Sequence, residues 1–147
     1  MTTMDAVTLS IAILGAVLGI ISTWHSLDRS RLKLKVKPAH AVPYGTANLD
    51  INFCIEVTNL SDFAVTVKDV GFFYKGTKNR GAIIQPVLID NGPWPRRLES
   101  RTSVTIYCQV GSKNIEKKIR AAYAITECGR TSTGKSPALR QLSRESF

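Results

Sequence analysis

Residues 49–74 read LDINFCIEVTNLSDFAVTVKDVGFFY and decide how the chain folds. Apolar and polar side chains alternate over Leu49–Thr58, which predicts a strand with one buried face. Turn-forming residues follow at Asn59–Asp62. A second strand is predicted over Ala64–Tyr74, and its alternation changes phase near Asp69, as happens at a β-bulge. The stretch therefore predicts two consecutive strands of a β domain.

Three segments further along the chain also predict strands, and no long helix separates them. They are Ala82–Ile89, Ser103–Val110 and Ile119–Cys128, each of them apolar or alternating. Pro86 marks the first as an edge strand, because proline cannot donate to a ladder of hydrogen bonds. A weak last strand is expected within Thr131–Leu142.

The connecting segments are expected to be irregular. Lys75–Gly81 is polar and predicts a loop, and residues 91–95 (NGPWP) predict a rigid turn. Asn114–Arg120 could form about one helical turn. Ser136–Leu139 reads SPAL and could equally start a short terminal helix, since proline suits the first helical turn.

Before residue 49, the segment from 29 to 37 has a period of two. Its basic residues are Arg29, Arg31, Lys33, Lys35 and Lys37, and they alternate with Ser30, Leu32, Leu34 and Val36. The pattern predicts a first strand with one basic and one apolar face. With it we expect about seven strands, arranged as an antiparallel sandwich of two sheets around one core.

The N-terminal part of the chain predicts a membrane helix. Residues 6–27 are 22 residues without Asp, Glu, Lys or Arg, and they include IAILGAVLGII. A helix of that length spans roughly 33 Å, close to the thickness of the hydrocarbon core of a bilayer. We therefore predict a transmembrane helix within residues 1–28 and a β domain over residues 29–147.

Three other interpretations of this apolar run compete with a spanning anchor. A cleaved signal peptide needs basic residues before the run, and MTTMD has none. A buried core helix normally shows a polar stripe, and Ser10, Ser22 and Thr23 make a poor one. A helix lying in the membrane interface needs a charged face, which is absent. The spanning anchor fits the sequence best.

Flanking charge predicts the orientation of this helix. Basic residues follow it and none precedes it, so the positive-inside rule places the N-terminus outside and residues 29–147 in the cytoplasm. The odd number of cysteines, three, fits a reducing compartment. We expect a single-pass protein of the inner (plasma) membrane with free thiols, of which Cys54 points outward and Cys108 is buried.

Small residues within the predicted helix suggest self-association. Gly15 and Gly19 form a GxxxG pattern, and Ala12 and Ala16 form a neighbouring pair of small residues. Such residues let two membrane helices approach closely, although they are also common in membrane helices that stay single. A homo-oligomer formed through these four residues is one hypothesis for the chain.

Four segments carry a resemblance to known proteins. They are RSRLKLKVKP (29–38), IEVTNLSDFAVTVKDVGF (55–72), WPRRLESRTSVTIY (94–107) and ECGRT (127–131). With them, the layout resembles a loose set of uncharacterised bacterial proteins with one N-terminal membrane helix and a cytoplasmic immunoglobulin-like domain. The resemblance implies an immunoglobulin-like sandwich at the inner membrane and brings no known activity, cofactor or catalytic residue.

One motif matches a nucleotide-binding pattern formally. Residues 129–136, GRTSTGKS, fit GxxxxGK[ST], so Gly134, Lys135 and Ser136 are candidate phosphate-binding residues. A P-loop requires a buried parallel strand before it and a helix after it, and no βαβ unit precedes this segment. Gly, Ser and Thr are also ordinary hairpin residues, so a loop between strands is the simpler interpretation.

Other chemistry is not expected from this sequence. His25 and His40 show no metal-ligand spacing with each other or with the cysteines, so no metal site is predicted. No paired carboxylates suggest hydrolase chemistry. The nearest approach to a nucleic-acid surface is Phe72–Tyr74, followed by Lys75, Lys78 and Arg80, but its apolar context is typical of a core strand. We expect no enzyme, no cofactor and no nucleic-acid partner.

Composition and charge set the expected function. With 147 residues, 44% of them hydrophobic, the chain is too short for two ordinary domains and too apolar for a disordered tail. Basic residues near anionic lipid gain about 1 kcal/mol each. We therefore expect lipid-headgroup contact by Arg29, Arg31, Lys33, Lys35 and Lys37.

These features predict a membrane-anchored, non-enzymatic binding or scaffolding module whose exposed strand edges take an unknown protein partner. One alternative is an oligomerising membrane effector whose GxxxG helix perturbs the bilayer. A more distant one is a nucleotide-binding protein acting through residues 129–136.

Overall fold

A computed structural model describes residues 3–42, 44, 51–110 and 118–145 of the chain. The chain divides into two compact units, Met1–Arg31 and Leu32–Phe147. The first contains one helix, α1 (Thr3–Arg29), and the described part of the second contains eight strands and a short helix. The structure is thus mainly β, with one long apolar helix near the N-terminus.

Helix α1 is long and apolar enough to cross a membrane. None of its residues is buried. Its hydroxyl groups bond within the helix: Thr8, Ser10 and Thr23 each donate to the carbonyl four residues earlier, at 2.8–3.0 Å. These polar side chains therefore do not interrupt the apolar surface with unsatisfied donors.

The strands of the second unit all pair antiparallel. They are β1 (Leu34–His40), β2 (Phe53–Asn59), β3 (Val65–Tyr74), β4 (Arg80–Ala82), β5 (Arg96–Leu98), β6 (Ser103–Cys108), β7 (Ile119–Thr126) and β8 (Thr131–Gly134). One sheet has three strands in the order β1-β2-β6. The other has five, in the order β4-β3-β7-β8 with β5 also paired to β3.

The two sheets face each other across one apolar core. Phe53, Ile55 and Val57 on β2 are fully buried, as are Val67 and Val70 on β3. On β2 each of these residues alternates with a half-exposed one, which confirms the predicted period of two. The sheets also meet along β1 and β8, where the Ser132 hydroxyl donates to the carbonyl of Leu34 at 2.7 Å.

The predicted β-bulge in the second strand is confirmed. The register between β3 and β7 shifts between Val67 and Asp69, so Lys68 is the extra residue. The indole N–H of Trp94 donates to the carbonyl of Lys68 at 3.1 Å. A second register shift, between Phe73 and Tyr74, leaves Arg120 as the extra residue on β7. Beyond each shift, the side chains lie on the face of the sheet opposite to the one that strict alternation predicts.

Two strand predictions and one loop prediction are wrong. The helix continues to Arg29 and β1 begins only at Leu34, so the first strand does not start at Arg29. The segment Lys75–Gly81, predicted as a loop, contains the start of strand β4, because Arg80–Ala82 pairs with β3. Most of the predicted edge strand that follows is irregular, and only Val87 forms a bridge, with Tyr107.

The strand count is also corrected, from about seven to eight. The additional short strand β5 was not expected from the sequence, because three residues are too few to show a period. At the C-terminus both open possibilities occur in turn: β8 ends at Gly134, and helix α2 (Pro137–Glu145) follows it. Parts of two predicted elements lie outside the described residues. They are Leu49 and Asp50, at the start of the second predicted strand, and residues 114–117, which make up most of the predicted helical turn.

Candidate functional site

The first candidate surface is the basic face of β1, which consists of Lys35, Lys37 and Lys33, the residue just before the strand. All three side chains are exposed, whereas the alternating Val36 and Pro38 are buried. Register pairs Lys35 with Thr58 and Lys37 with Glu56 on the neighbouring strand. The predicted alternation of basic and apolar faces is therefore present in this strand.

The other two predicted headgroup residues lie in the first unit. Arg29 is the last residue of α1, and Arg31 lies two residues beyond it. Both are exposed. The five basic residues of this segment are thus divided between the two units of the chain.

The predicted self-association residues lie on α1. Gly15 and Gly19 are one helical turn apart, and a Cβ atom added to either would meet no other heavy atom within 4 Å. Ala12 and Ala16 lie on the same side of the helix, because residues three and four apart are neighbours. The described chain leaves this face of small residues open to a second helix.

The GxxxxGKS match forms one arm of a β-hairpin. Gly129 lies in the turn between β7 and β8 with a φ of 83°, a conformation that favours glycine. Thr131–Gly134 is β8, paired antiparallel with β7. A Cβ on Gly134 would overlap the backbone carbonyl of Val36, so this glycine is required by packing. The segment is therefore extended, whereas a P-loop curls its amides around phosphate.

A second candidate surface lies at one end of the five-stranded sheet, where three neighbouring strands carry lysines. β3 ends just before Lys75, β7 begins just after Lys118, and β8 ends just before Lys135. The strand order β3-β7-β8 and the antiparallel pairing bring these three ends to the same edge. The N–H of Lys75 donates to the carbonyl of Lys118 at 2.7 Å and holds two of the ends together.

A cleft of about 390 Å³ opens at this edge and is lined by six exposed basic residues. They are Lys75, Lys118, Arg120, Lys135, Arg140 and Arg144, and with Ile119, Ser136 and Leu139 they are termed the basic cleft. No Asp or Glu among the described residues lines it. Ile119 and Leu139 belong to the buried core, so the charged rim surrounds an apolar base.

Helix α2 begins at the basic cleft. The hydroxyl oxygen of Ser136 accepts a hydrogen bond from the N–H of Leu139 at 3.2 Å, as in a helix N-cap. Arg140 and Arg144 follow Ser136 at intervals of four, so the three share one face of the helix. The positive end of the helix dipole adds to the charge of the arginines.

An aromatic surface positions Arg120 at the rim of the cleft. Its guanidinium carbon lies 5.8 Å from the centre of the Phe73 ring, a distance typical of a cation–π contact. Phe73 in turn packs against Tyr123, with ring centroids 4.6 Å apart. The Tyr123 hydroxyl donates to Asp69 at 3.2 Å, and burial, followed by the charge of Asp69, raises the pKa of Tyr123 to about 12.

The three thiols are free, as expected, and differ in their surroundings. Burial raises the pKa of Cys108 to about 12. Burial also raises the pKa of Cys54, which lies on the outer face of β2 as predicted. The hydrogen bond with the hydroxyl of Thr126, 3.1 Å from its sulfur, lowers the pKa of the exposed Cys128. Cys128 is therefore expected to be the most reactive of the three thiols.

The basic cleft was not predicted as a site from the sequence. Its residues are spread from Lys75 to Arg144, and the strand register and the packing of α2 against β1 and β7 bring them together. One local signal was available: in SPALRQLSR, Arg140 and Arg144 stand four residues apart after a Ser-Pro helix start. A helix predicted for this segment, rather than a strand, places both arginines on one face of that helix.

Comparison of the chain with protein-family models and with curated proteins finds no match. The class of protein is therefore defined by the fold and the surfaces described above. It is a chain with one long apolar N-terminal helix and a β domain of two antiparallel sheets, which carries a basic face on β1 and a basic cleft at one sheet end.

Proposed function

We propose that this chain is a membrane-anchored, non-enzymatic binding or scaffolding module whose β domain docks on anionic lipid through its first strand. The observation that carries the proposal is the basic face of β1. Its three lysines are exposed, Lys35 and Lys37 on the strand that follows the apolar helix and Lys33 at the end of the connection between the two elements, which is only residues 30–33. A strand so close in sequence to a membrane anchor stays within reach of the bilayer surface.

The charges that flank the apolar helix support a β domain on the cytoplasmic side of the membrane. Arg29 and Arg31 add to the same cluster, whereas the residues before the apolar run carry Asp5 and no basic side chain. The positive-inside rule then favours an N-terminus outside and a β domain in the cytoplasm, where the leaflet of the inner membrane is anionic.

The strand order supports an immunoglobulin-like sandwich as the docked domain. In such domains one sheet contains strands A, B and E in order, and the other contains C, F and G. The orders β1-β2-β6 and β3-β7-β8 correspond to these two sets. Domains of this architecture commonly present surfaces for binding, which fits a scaffolding role.

Lysine acetylation of the full chain in nanodiscs tests the proposal. Discs of phosphatidylcholine alone are compared with discs that also contain phosphatidylserine, and the modified lysines are identified by mass spectrometry. We expect Lys33, Lys35 and Lys37 to react several-fold more slowly in the anionic discs. Salt at about 1 M, where the Debye length is about 3 Å, should remove the difference.

Lys78 is the internal control for this experiment, since it is exposed in the segment between β3 and β4. Its rate should be the same in both kinds of disc. Equal protection of Lys78 would indicate a general effect of the anionic surface on the reagent. Equal rates for the β1 lysines in both discs would overturn the proposal.

A further inference from the structure

We propose that the basic cleft binds a small ligand that carries at least two phosphate groups. The proposal is independent of lipid docking by β1, because the two surfaces share no residue. Six basic side chains line one opening of about 390 Å³, and none of the described residues that line it is acidic. A cavity of this size suits a small molecule rather than a bare ion.

The two arginines of α2 take no part in the ion pairs formed by arginines of the β domain. Those pairs join Arg80, Arg96, Arg97 and Arg101 to acidic partners. None of these arginines lines the cleft, and none of these pairs contains Arg140 or Arg144. Two arginines four residues apart on one helix face repel each other, so the arrangement costs stability unless an anion lies between them.

The number and geometry of the donors suit an anion with several charged oxygen atoms, which a pair of phosphate groups provides. The guanidinium groups of Arg120, Arg140 and Arg144 each offer a planar pair of donors that matches phosphate oxygens. Arg120 is held in place by Phe73, so less side-chain freedom is lost when it binds. The capped start of α2 at Ser136 adds a positive helix end to the same opening.

The base of the cleft suggests that the ligand has an apolar part. Ile119 and Leu139 are buried in the core and line the cleft beneath its charged rim. A ring or chain attached to the phosphates can contact them while the phosphates reach the rim. Both a soluble phosphoester and a phosphorylated lipid headgroup have this chemistry.

The test uses the full chain in phosphatidylcholine nanodiscs, with tripolyphosphate as the probe and calorimetry as the measurement. We expect saturable binding to one site. The double variant Arg140→Gln, Arg144→Gln should weaken it at least tenfold with an unchanged midpoint of thermal unfolding. The matched variant Lys35→Gln, Lys37→Gln removes the same charge from β1 and should change the affinity less than twofold.

Equal weakening by the two double variants, or binding that does not saturate, would overturn the proposal, because either result means attraction by net charge alone. Absence of binding would overturn it as well.

Competition then assigns the source of the phosphates. Displacement of the probe by a soluble nucleoside triphosphate supports the site with a soluble ligand. Displacement only by a phosphoinositide within the disc supports the site with a lipid headgroup.

Discussion

The side-chain oxygen of Asn59 accepts a hydrogen bond from the N–H of Ser61 at 2.9 Å, and this contact organises the turn between β2 and β3. The amide nitrogen of Asn59 donates to the carbonyls of Phe63, Leu98 and Glu99 at 2.7–3.2 Å. Asn59 is fully buried. One side chain therefore joins this turn to the end of β5.

Asn59→Ala should lower the free energy of unfolding by about 3 kcal/mol, because it leaves buried carbonyls and a buried N–H without partners. Asn52→Ala is the matched control. Asn52 also forms two hydrogen bonds, both to the backbone of Val110, but it is exposed and water can replace them. Asn52→Ala should lower the free energy of unfolding by less than about 1 kcal/mol.

Both variants can be measured by urea unfolding of the full chain in detergent micelles, followed by Trp94 fluorescence in a Trp24→Phe background. Similar decreases in the free energy of unfolding for the two variants would show that burial of the Asn59 hydrogen bonds does not increase their contribution to stability.

Gly134→Ala should destabilise the β domain by about 2 kcal/mol, since its Cβ would overlap the backbone carbonyl of Val36 where β8 meets β1. Backbone cannot move aside as readily as a side chain. Gly81→Ala is the control, because a Cβ there meets only the hydroxyl end of Tyr74. The midpoint of thermal unfolding should fall clearly for the first variant and little for the second. The reverse order would contradict the packing described for β8.

Thiol reactivity should differ strongly among the cysteines. At neutral pH we expect Cys128 to react first with a disulfide reagent, since its lowered pKa increases the thiolate fraction. Cys108 should react only on unfolding, because it is buried and its pKa is raised to about 12. Mass spectrometry of the labelled chain identifies the order. Labelling of Cys108 before Cys128 in the folded protein would refute it.

Stability should fall at alkaline pH, partly through Tyr123. Its pKa is raised to about 12 in the folded chain, and an unfolded tyrosine titrates near 10. The folded state then binds more protons between these values, so the stabilising contribution is complete below about pH 10 and is lost as pH rises to about 12. Tyr123→Phe should flatten the stability profile in this window. Tyr44→Phe, at a residue 97% exposed, should leave it unchanged.

Self-association of α1 is tested by substitution of its small residues. If the GxxxG face joins two helices, Gly15→Leu and Gly19→Leu should reduce dimer formation several-fold in a membrane association assay, because the larger side chains separate the helices. Val17→Leu lies on the opposite face and is the control. Unchanged association in both glycine variants would exclude this face as an interface.

Residues whose environment is set by their neighbours in sequence were predicted well. The alternation of Phe53, Ile55 and Val57 follows from the pleat of a strand, and the bulge at Lys68 left a visible change of phase. The three-residue strand β4 was missed because its stability comes from pairing with β3 rather than from its own residues. Arg29 was assigned to a strand because the alternation of basic residues begins inside the last turn of the helix.

The sequence by itself determined the apolar helix, the β class and the basic first strand, since each depends on a periodicity that a continuous segment carries. Only the tertiary structure decided the basic cleft, which joins Lys75, Lys118, Lys135 and Arg140. These residues stand far apart in the chain, and strand register and the docking of α2 bring them together. Such contacts are non-local, so no pattern within one segment contains them.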